Sequence, residues 1–296
     1  MNSTNNPVAL FAIVTAIWGS TWLAITFQLG VVEPEISVVY RFALAAAMLF
    51  LWCRASGRRL GFPLRTQAWL AAQGATMFGL NYVGVYLAER YIASGLVAVA
   101  FSTFVFMLPL GAWVTFGVPV TLRLALGAVL GVAGVALMFL PELLGAAENP
   151  GAGQGIVYAL GSTAIAAIGN LITIRLQRDR VPTMSANAWS MGYGALTAAL
   201  VSVVGGSAWA LDWSFRYLAS LFYLTVFGSI VAFGAYFKLV ELVGAGRASF
   251  ITISTPVLAM ALSTFFEGYR WTAAAAIGAA LAAAGNYLAL MGSRPR

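Results

Sequence analysis

The sequence predicts an all-α membrane protein of ten transmembrane helices in two inverted five-helix repeats, with both termini cytoplasmic. Three observations carry that expectation. Ten apolar runs of roughly 20 residues, the length a helix needs to cross a bilayer, fill nearly all of the 296-residue chain. Charged residues make up 8% of the chain and hydrophobic ones 61%, against about 25% charge in a soluble domain, so there is too little charge to clothe a water-facing surface. A faint copy of the stretch Gly246 to Ala289 also runs from Gly95 to Met138, offset by 151 positions without a gap.

That internal repeat sets the architecture. Gly95/Gly246, Gly117/Gly268, Thr121/Thr272, Gly127/Gly278 and Gly134/Gly285 are among its identities. The punctuation agrees too: a break near 117 and 268, a threonine opening the next helix, and glycines one or two turns on. Spans four and nine are five helices apart, an odd number, so the copies cross the membrane in opposite directions. Inverted copies are related by a pseudo-two-fold axis in the membrane plane, with a solute path between them near mid-bilayer. The first repeat is assigned to residues 1–145 and the second to 146–296.

Taken in order, the helices are expected at 7–28, 34–54, 67–88, 93–116, 121–140, 153–176, 183–205, 215–239, 247–267 and 272–292. Pro, Gly or charge marks most separators: Val32–Glu35, Cys53–Arg65, Pro141–Gly153 and Arg178–Pro182. Glu89-Arg90-Tyr91 is so short that spans three and four form a tight hairpin. One set of loops, with the C-terminus, carries 12 of the 16 Lys and Arg residues, and an excess of Lys and Arg marks the cytoplasmic face. The net charge of +7 is therefore a topology signal, with an anionic-lipid contact as its surface consequence, and nucleic acid is not an expected partner. The N-terminus MNSTNNP has no basic region, so the first apolar run reads as a retained span.

Several chemistries are disfavoured by what is missing. Cys53 is the single cysteine and histidine is absent, which removes an intrachain disulfide, a Cys-based metal site and the usual proton shuttle. No paired acids, Ser/His set or metal ligands converge, so the expectation is no enzyme, no cofactor and no metal. Asp, Glu, Lys and His are missing from the middle of every expected span, whereas coupled carriers often keep a buried carboxylate there. Glu89, Glu241 and Glu267 fall at span ends and read as solvated loop charges. Arg41, about 10 Å into span two at 1.5 Å per residue, is expected to snorkel outward or to pair with an outer-face Glu.

What the spans do hold is aromatic. Trp18 and Trp22 share one face of span one at i and i+4. Asn81, Tyr82 and Tyr86 lie in span three, and Phe101 and Phe104 in span four. Asn170, Ser254 and Thr255 add hydrogen-bonding groups at mid-membrane. Together these ten residues suit an apolar small-molecule site with a few polar groups. Gly19, Pro109, Gly228 and Pro256 are candidate hinges, because proline removes a ladder bond and permits a kink. Gly127, Gly131 and Gly134 in span five and Gly278, Ala282 and Gly285 in span ten form small-residue faces for close helix contact.

At these residues the chain resembles the EamA-type drug/metabolite transporters. The resemblance rests on Ile17-Trp18-Gly19-Ser20 with Trp22, on Pro34 followed by Tyr40-Arg41-Phe42, on Tyr86 with Tyr91-Ile92-Ala93-Ser94-Gly95, and on Tyr236 followed by Val243 to Ser249 and Pro256. Within that superfamily it is most similar to the YddG exporters of aromatic and other neutral amino acids. The resemblance implies ten helices, a path enclosed by spans one, three, four, six, eight and nine with five and ten outside, and export from the cytoplasm. Two features depart from the family pattern: Glu267-Gly268 reverses the usual Gly-Glu turn after span nine, and span one lacks the Glu of the small multidrug pumps. The expectation is an inner-membrane carrier exporting amino acids by alternating access, without a buried proton-coupling carboxylate. The alternative is a carrier of another metabolite or drug, proton-coupled or not.

Overall fold

In the computed structural model, which describes residues 6–144, 149–243, 248 and 250–291, every expected span is helical. The helices are α1 (Pro7–Thr26), α2 (Pro34–Ala55), α3 (Leu64–Gln73), α4 (Asn81–Ala88), α5 (Ser94–Ser102), α6 (Phe104–Phe116), α7 (Leu122–Leu144), α8 (Ala152–Arg178), α9 (Thr183–Gly205), α10 (Phe215–Tyr223), α11 (Ala232–Val243), α12 (Ile251–Phe266) and α13 (Ala273–Met291). No strand occurs among the described residues. Among the described residues, eight helical stretches are long and apolar enough to cross a membrane, and Ile251–Phe266 is a shorter apolar helix. Apolar side chains cover the outside, Val204, Phe265 and Leu200 among them, as a lipid-facing surface requires.

Three spans are less regular than the sequence suggests. The π-helical segment Gly74–Leu80 joins α3 to α4, and a second, Leu224–Val231, joins α10 to α11. They occupy matching places in the two repeats. Span four is interrupted at Thr103, not at Pro109, which lies inside α6. At the interruption the Ser102 and Thr103 hydroxyls donate to the carbonyls of Val99 and Ala100, at 2.7 and 2.6 Å. Such local bonds compete with the helical ladder. Helix α7 also continues one turn past its expected end, with Pro141 inside it.

Ends are closed by recognisable local chemistry. Asn6 caps α1: its Oδ1 accepts from Val8 N at 3.0 Å and Ala9 N at 3.4 Å, and Pro7 takes the first helical position, where a missing N–H costs nothing. Gly117 and Gly268, 151 apart, both turn left-handed, with φ of 68° and 71°. Glycine enters that region without a Cβ penalty, so the two repeats end their fourth helices alike.

The repeats meet through antiparallel pairs. A Cβ at Gly127 would lie 2.6 Å from the Gly285 carbonyl oxygen, and one at Gly134 would lie 2.4 Å from the Ala282 nitrogen. The start of α7 therefore faces the end of α13, and backbones touch along the glycine faces expected from the sequence. Helices α5 and α12 cross the same way: Ser94 N donates to Glu267 Oε1 at 3.1 Å and Gly95 N to Ser263 Oγ at 2.8 Å. Helix α2 packs along α9, and α1 lies against α5, α11 and α12.

Substituting a face this tight forces backbone apart. Gly134→Val is expected to lower stability by about 1–3 kcal/mol, read as a lower thermal midpoint in detergent. Gly161→Ala in α8, where an added Cβ meets nothing within 4 Å, leaves the midpoint unchanged or slightly raised. Equal loss for both would show that the α7–α13 contact contributes nothing specific.

Candidate functional site

A cavity of about 220 Å³ lies between the repeats, lined by α1, α4, α5, α6, α8, α11, α12 and the first π segment. Helices α7 and α13 contribute nothing to its wall. Trp18 and Trp22 enter it from α1, where the i, i+4 spacing puts both on one side. The Trp18 ring meets Phe233 edge-on at 5.2 Å and Tyr236 at 5.3 Å between centroids. Its Nε1 donates to the carbonyl of Gly228, in the second π segment, at 3.3 Å. Trp22 leans on Phe101 at 5.4 Å, and Phe101 stacks on Phe104 at 6.0 Å. The result is an aromatic wall contributed by both repeats.

Polar groups are few, and those on the wall carry no charge. Asn81 Nδ2 donates back to the Met77 carbonyl at 3.0 Å, while its Oδ1 is buried with no hydrogen-bond partner. Asn170 Nδ2 likewise donates to Ala166 O at 3.1 Å. Thr255 Oγ1 donates to Ile251 O at 2.9 Å and keeps its lone pairs. Each amide thus donates an N–H to a carbonyl one turn back, and Asn170 Nδ2 also faces Met77 Sδ at 4.0 Å, while the amide oxygens act as acceptors.

Eight of the ten expected site residues line this cavity: Trp18, Trp22, Asn81, Tyr82, Phe101, Phe104, Asn170 and Thr255. Tyr86 and Ser254 do not. Tyr86 is fully buried one turn beyond, its hydroxyl donating to Gln28 Oε1 at 2.7 Å. Ser254 bonds the Phe250 carbonyl of its own helix. Of the hinge candidates, Pro256 lines the cavity and Gly228 accepts the Trp18 bond. Pro109 lies off the cavity, and a Cβ on Gly19 would meet Leu258 at 2.7 Å, a close contact between α1 and α12.

Sequence reasoning missed Phe233 and Tyr236 as wall residues. Their i, i+3 spacing in span eight is the same signal that exposed the α1 tryptophans. Met77, Thr21 and Ser102 also line the cavity but carry no distinguishing chemistry. A smaller hollow of about 70 Å³ shares Met77, Asn170, Phe233 and Tyr236 with the cavity and continues toward Gln177, Val181 and Thr183. At the opposite end α5 and α12 are tied together by hydrogen bonds. There Glu267 accepts from Ser94 N, and from the hydroxyls of Ser94 and Ser263.

Two charged residues at that tied end overturn expectations. Arg41 neither snorkels nor pairs with a carboxylate. It is 1% exposed, its guanidinium 4.6 Å from the Tyr82 ring centroid and its Nε 3.2 Å from Ser229 Oγ. The ion pair at this end is instead Arg90 with Glu33. Glu89 is not solvated: it is 8% exposed, and neither carboxylate oxygen has a hydrogen-bond partner. The short hairpin turns it inward beneath the end of α12, so the chain does bury a carboxyl group. The Glu241 side chain, like Gly244–Arg247 and Ser249, lies outside the described residues.

The comparisons with known proteins agree with this architecture. A solved crystal structure superposes with a TM-score of 0.67 over 97% of both chains at 20% identity, which establishes the shared fold. The inner membrane transporter YedA of Escherichia coli is 28% identical over 262 residues, 88% of this chain and 82% of its own. The transporter sll0355 of Synechocystis is 27% identical over 92% of this chain and 86% of its own length. A chloroplastic WAT1-related protein of Arabidopsis thaliana is 25% identical over 92% of this chain but only 66% of its own, so a third of that protein lies beyond the match. The EamA-like transporter family matches twice, over residues 6–140 and 153–291. With a duplicated family domain covering almost its whole length and a cavity between the copies, this chain is a multi-pass membrane protein that belongs to the EamA-like transporter family.

Proposed function

We propose that this membrane transporter of the drug/metabolite type exports aromatic and other neutral amino acids across a bacterial inner membrane by alternating access. The reading includes ten crossings, cytoplasmic termini, and repeats divided at residues 1–145 and 146–296. The cavity wall is the observation that supports it. Trp18, Trp22, Phe101, Phe104, Phe233 and Tyr236 offer ring surface to an apolar side chain. Asn81 Oδ1, buried and unpartnered, offers an acceptor to an ammonium group. Aromatic faces hold a cation without a buried carboxylate.

Alternating access needs a site reached from one side at a time. The hollow toward Thr183 and the Ser94–Ser263–Glu267 tie at the other end fit a form open toward the cytoplasmic side. The site wall draws on both repeats, so rocking one against the other changes access and at the same time repacks the contacts of Trp18 with Phe233 and Tyr236.

Counterflow of labelled phenylalanine or tryptophan in proteoliposomes tests the proposal, with saturable exchange above empty liposomes as the expected result. Removing a stacking ring, Trp22→Ala or Phe101→Ala, raises half-saturation about 3- to 10-fold. Asn81→Ala raises it about 10- to 100-fold, as loss of a hydrogen bond to a charged group would. Ser254→Ala, off the cavity, stays within about twofold. Absence of exchange, or competition by drugs and nucleosides but not by amino acids, sinks the substrate assignment.

A second expectation concerns Trp18. Its indole fixes α1 to the second π segment through the Gly228 carbonyl. Trp18→Phe keeps a ring in the wall and removes that bond, so the maximal exchange rate changes more than half-saturation does. Unchanged rate with a raised half-saturation would make Trp18 a wall residue alone.

A further inference from the structure

Glu89 is a charged group that the solute cavity does not use. It sits in the turn after α4, one turn from the cavity residue Val85, 8% exposed and with both oxygens unpartnered. An ionised carboxylate held this way is strongly disfavoured, and such a group neutralises itself rather than remain ionised. Two further buried polar atoms at the same end also lack partners, Gln28 Nε2 and Arg41 Nη1. Tyr86 links them: it donates to Gln28, and Arg41 approaches its hydroxyl. The tied end thus holds an acid, a guanidinium cation and an amide, each with at least one buried polar atom left without a partner.

We propose that Glu89 is a proton-binding site whose occupation closes the tied end of the cavity. The proposal rests on reading the chain as an alternating-access carrier. With the end shut, the carboxyl is held as neutral COOH. When α5 and α12 part, water reaches it, the proton leaves to that aqueous side, and COO⁻ is left hydrated and within the field of Arg41. Closure takes a proton back from the same side. No other reactant is required.

The groups around Glu89 decide the direction. Burial pushes its carboxyl well above the usual carboxylate range; Glu267, from the segment after α12, adds to the effect, and Arg41 on α2 opposes it. Tyr86 shares its helix, and α8 brings Tyr158, stacked against Tyr91. The neighbouring Arg90 is taken by Glu33. The closed form has the raised value, so protonation stabilises closure at low pH. That stabilisation is lost as pH rises through the raised value. Arg41 lies 4.6 Å from the ring of Tyr82, which lines the cavity. A change of charge at Glu89 is therefore felt one residue from the solute.

Infrared spectroscopy of the full chain in liposomes reads the proton directly and needs no solute. The expected spectrum shows a protonated-carboxyl stretch that persists well above about pH 4.3, the ordinary glutamate value, and disappears in Glu89→Gln. Glu89→Asp retains a titrating band and guards against a folding failure of the amide variant. Counterflow at equal pH on both sides reads the consequence. Wild-type exchange rises with pH, by up to about tenfold per unit below the midpoint; Glu89→Gln is slow and flat; Glu89→Asp stays pH-dependent. A wild-type spectrum without the band near neutral pH, or one that Glu89→Gln leaves unchanged, overturns the site. Band present but counterflow flat with pH overturns its link to closure. If the band behaves as expected and no amino acid exchanges at any pH, the substrate reading fails and the proton site stands.

Discussion

A peptide group inside a bilayer has no water to bond, so its partner must come from the chain. Most of this structure follows from that constraint. Every expected span is helical, and most hydroxyls within the spans bond a carbonyl one turn back, as Thr21, Thr26, Thr163 and Thr255 do. Where helices must touch closely, as α7 and α13 do, glycine is brought against backbone, because no hydrophobic effect drives association in lipid and packing has to do it. The departures from regular helix then stand out. The first π segment supplies Met77 to the cavity, the second supplies the carbonyl that Trp18 bonds, Thr103 interrupts span four between the wall residues Ser102 and Phe104, and Pro256 is itself in the wall. Relaxed ladders recur at functional sites, and here they gather around one hollow.

The duplication is kept in the frame and lost in the wall. Gly117 and Gly268 turn alike, the two π segments match, and α7 and α13 present equivalent glycines to each other. The cavity is lopsided by contrast. Pro256 lines it and Pro109 does not, and the first repeat supplies Trp22, Phe101 and Phe104 while the second answers with Phe233 and Tyr236. Glu267 ties α12 to α5, whereas the matching turn at Phe116-Gly117-Val118 has no acid. A symmetric scaffold supplies two related ends; these unequal side chains make one of them the tied end.

The legible features were those that local spacing determines. Helix positions followed from apolar run length, and the close-contact faces of α7 and α13, though not their pairing with each other, from small residues three and four apart. Trp18 and Trp22 declared a shared face. Face is not depth, however. Tyr86 follows Tyr82 by one turn on the same side of span three, yet the cavity ends near Val85, and Tyr86 is enclosed with Gln28. Ser254 and Thr255 are adjacent, and the 100° between neighbours in a helix puts only the second on the wall. The π segments were illegible because nothing in GATMFGL or LTVFGSIV marks an extra residue per turn; tertiary packing decides it.

Burial of Glu89 belongs to the same class. A glutamate followed by arginine at a helix end looks solvated, and Arg90 is indeed paired at the surface with Glu33. Only the three-dimensional hairpin separates these neighbours, sending one side chain out and the other beneath α12. The separation has a mechanistic consequence. An uncharged wall contacts a solute in the same way at any pH, so its affinity is not coupled to protons through the wall. A titrating group outside the wall acts instead on the balance between closed and open forms, and it can shift that balance only by binding its proton differently in each. On the proposed reading, recognition and timing are carried by different residues, Asn81 and the rings for the first and the buried acid for the second.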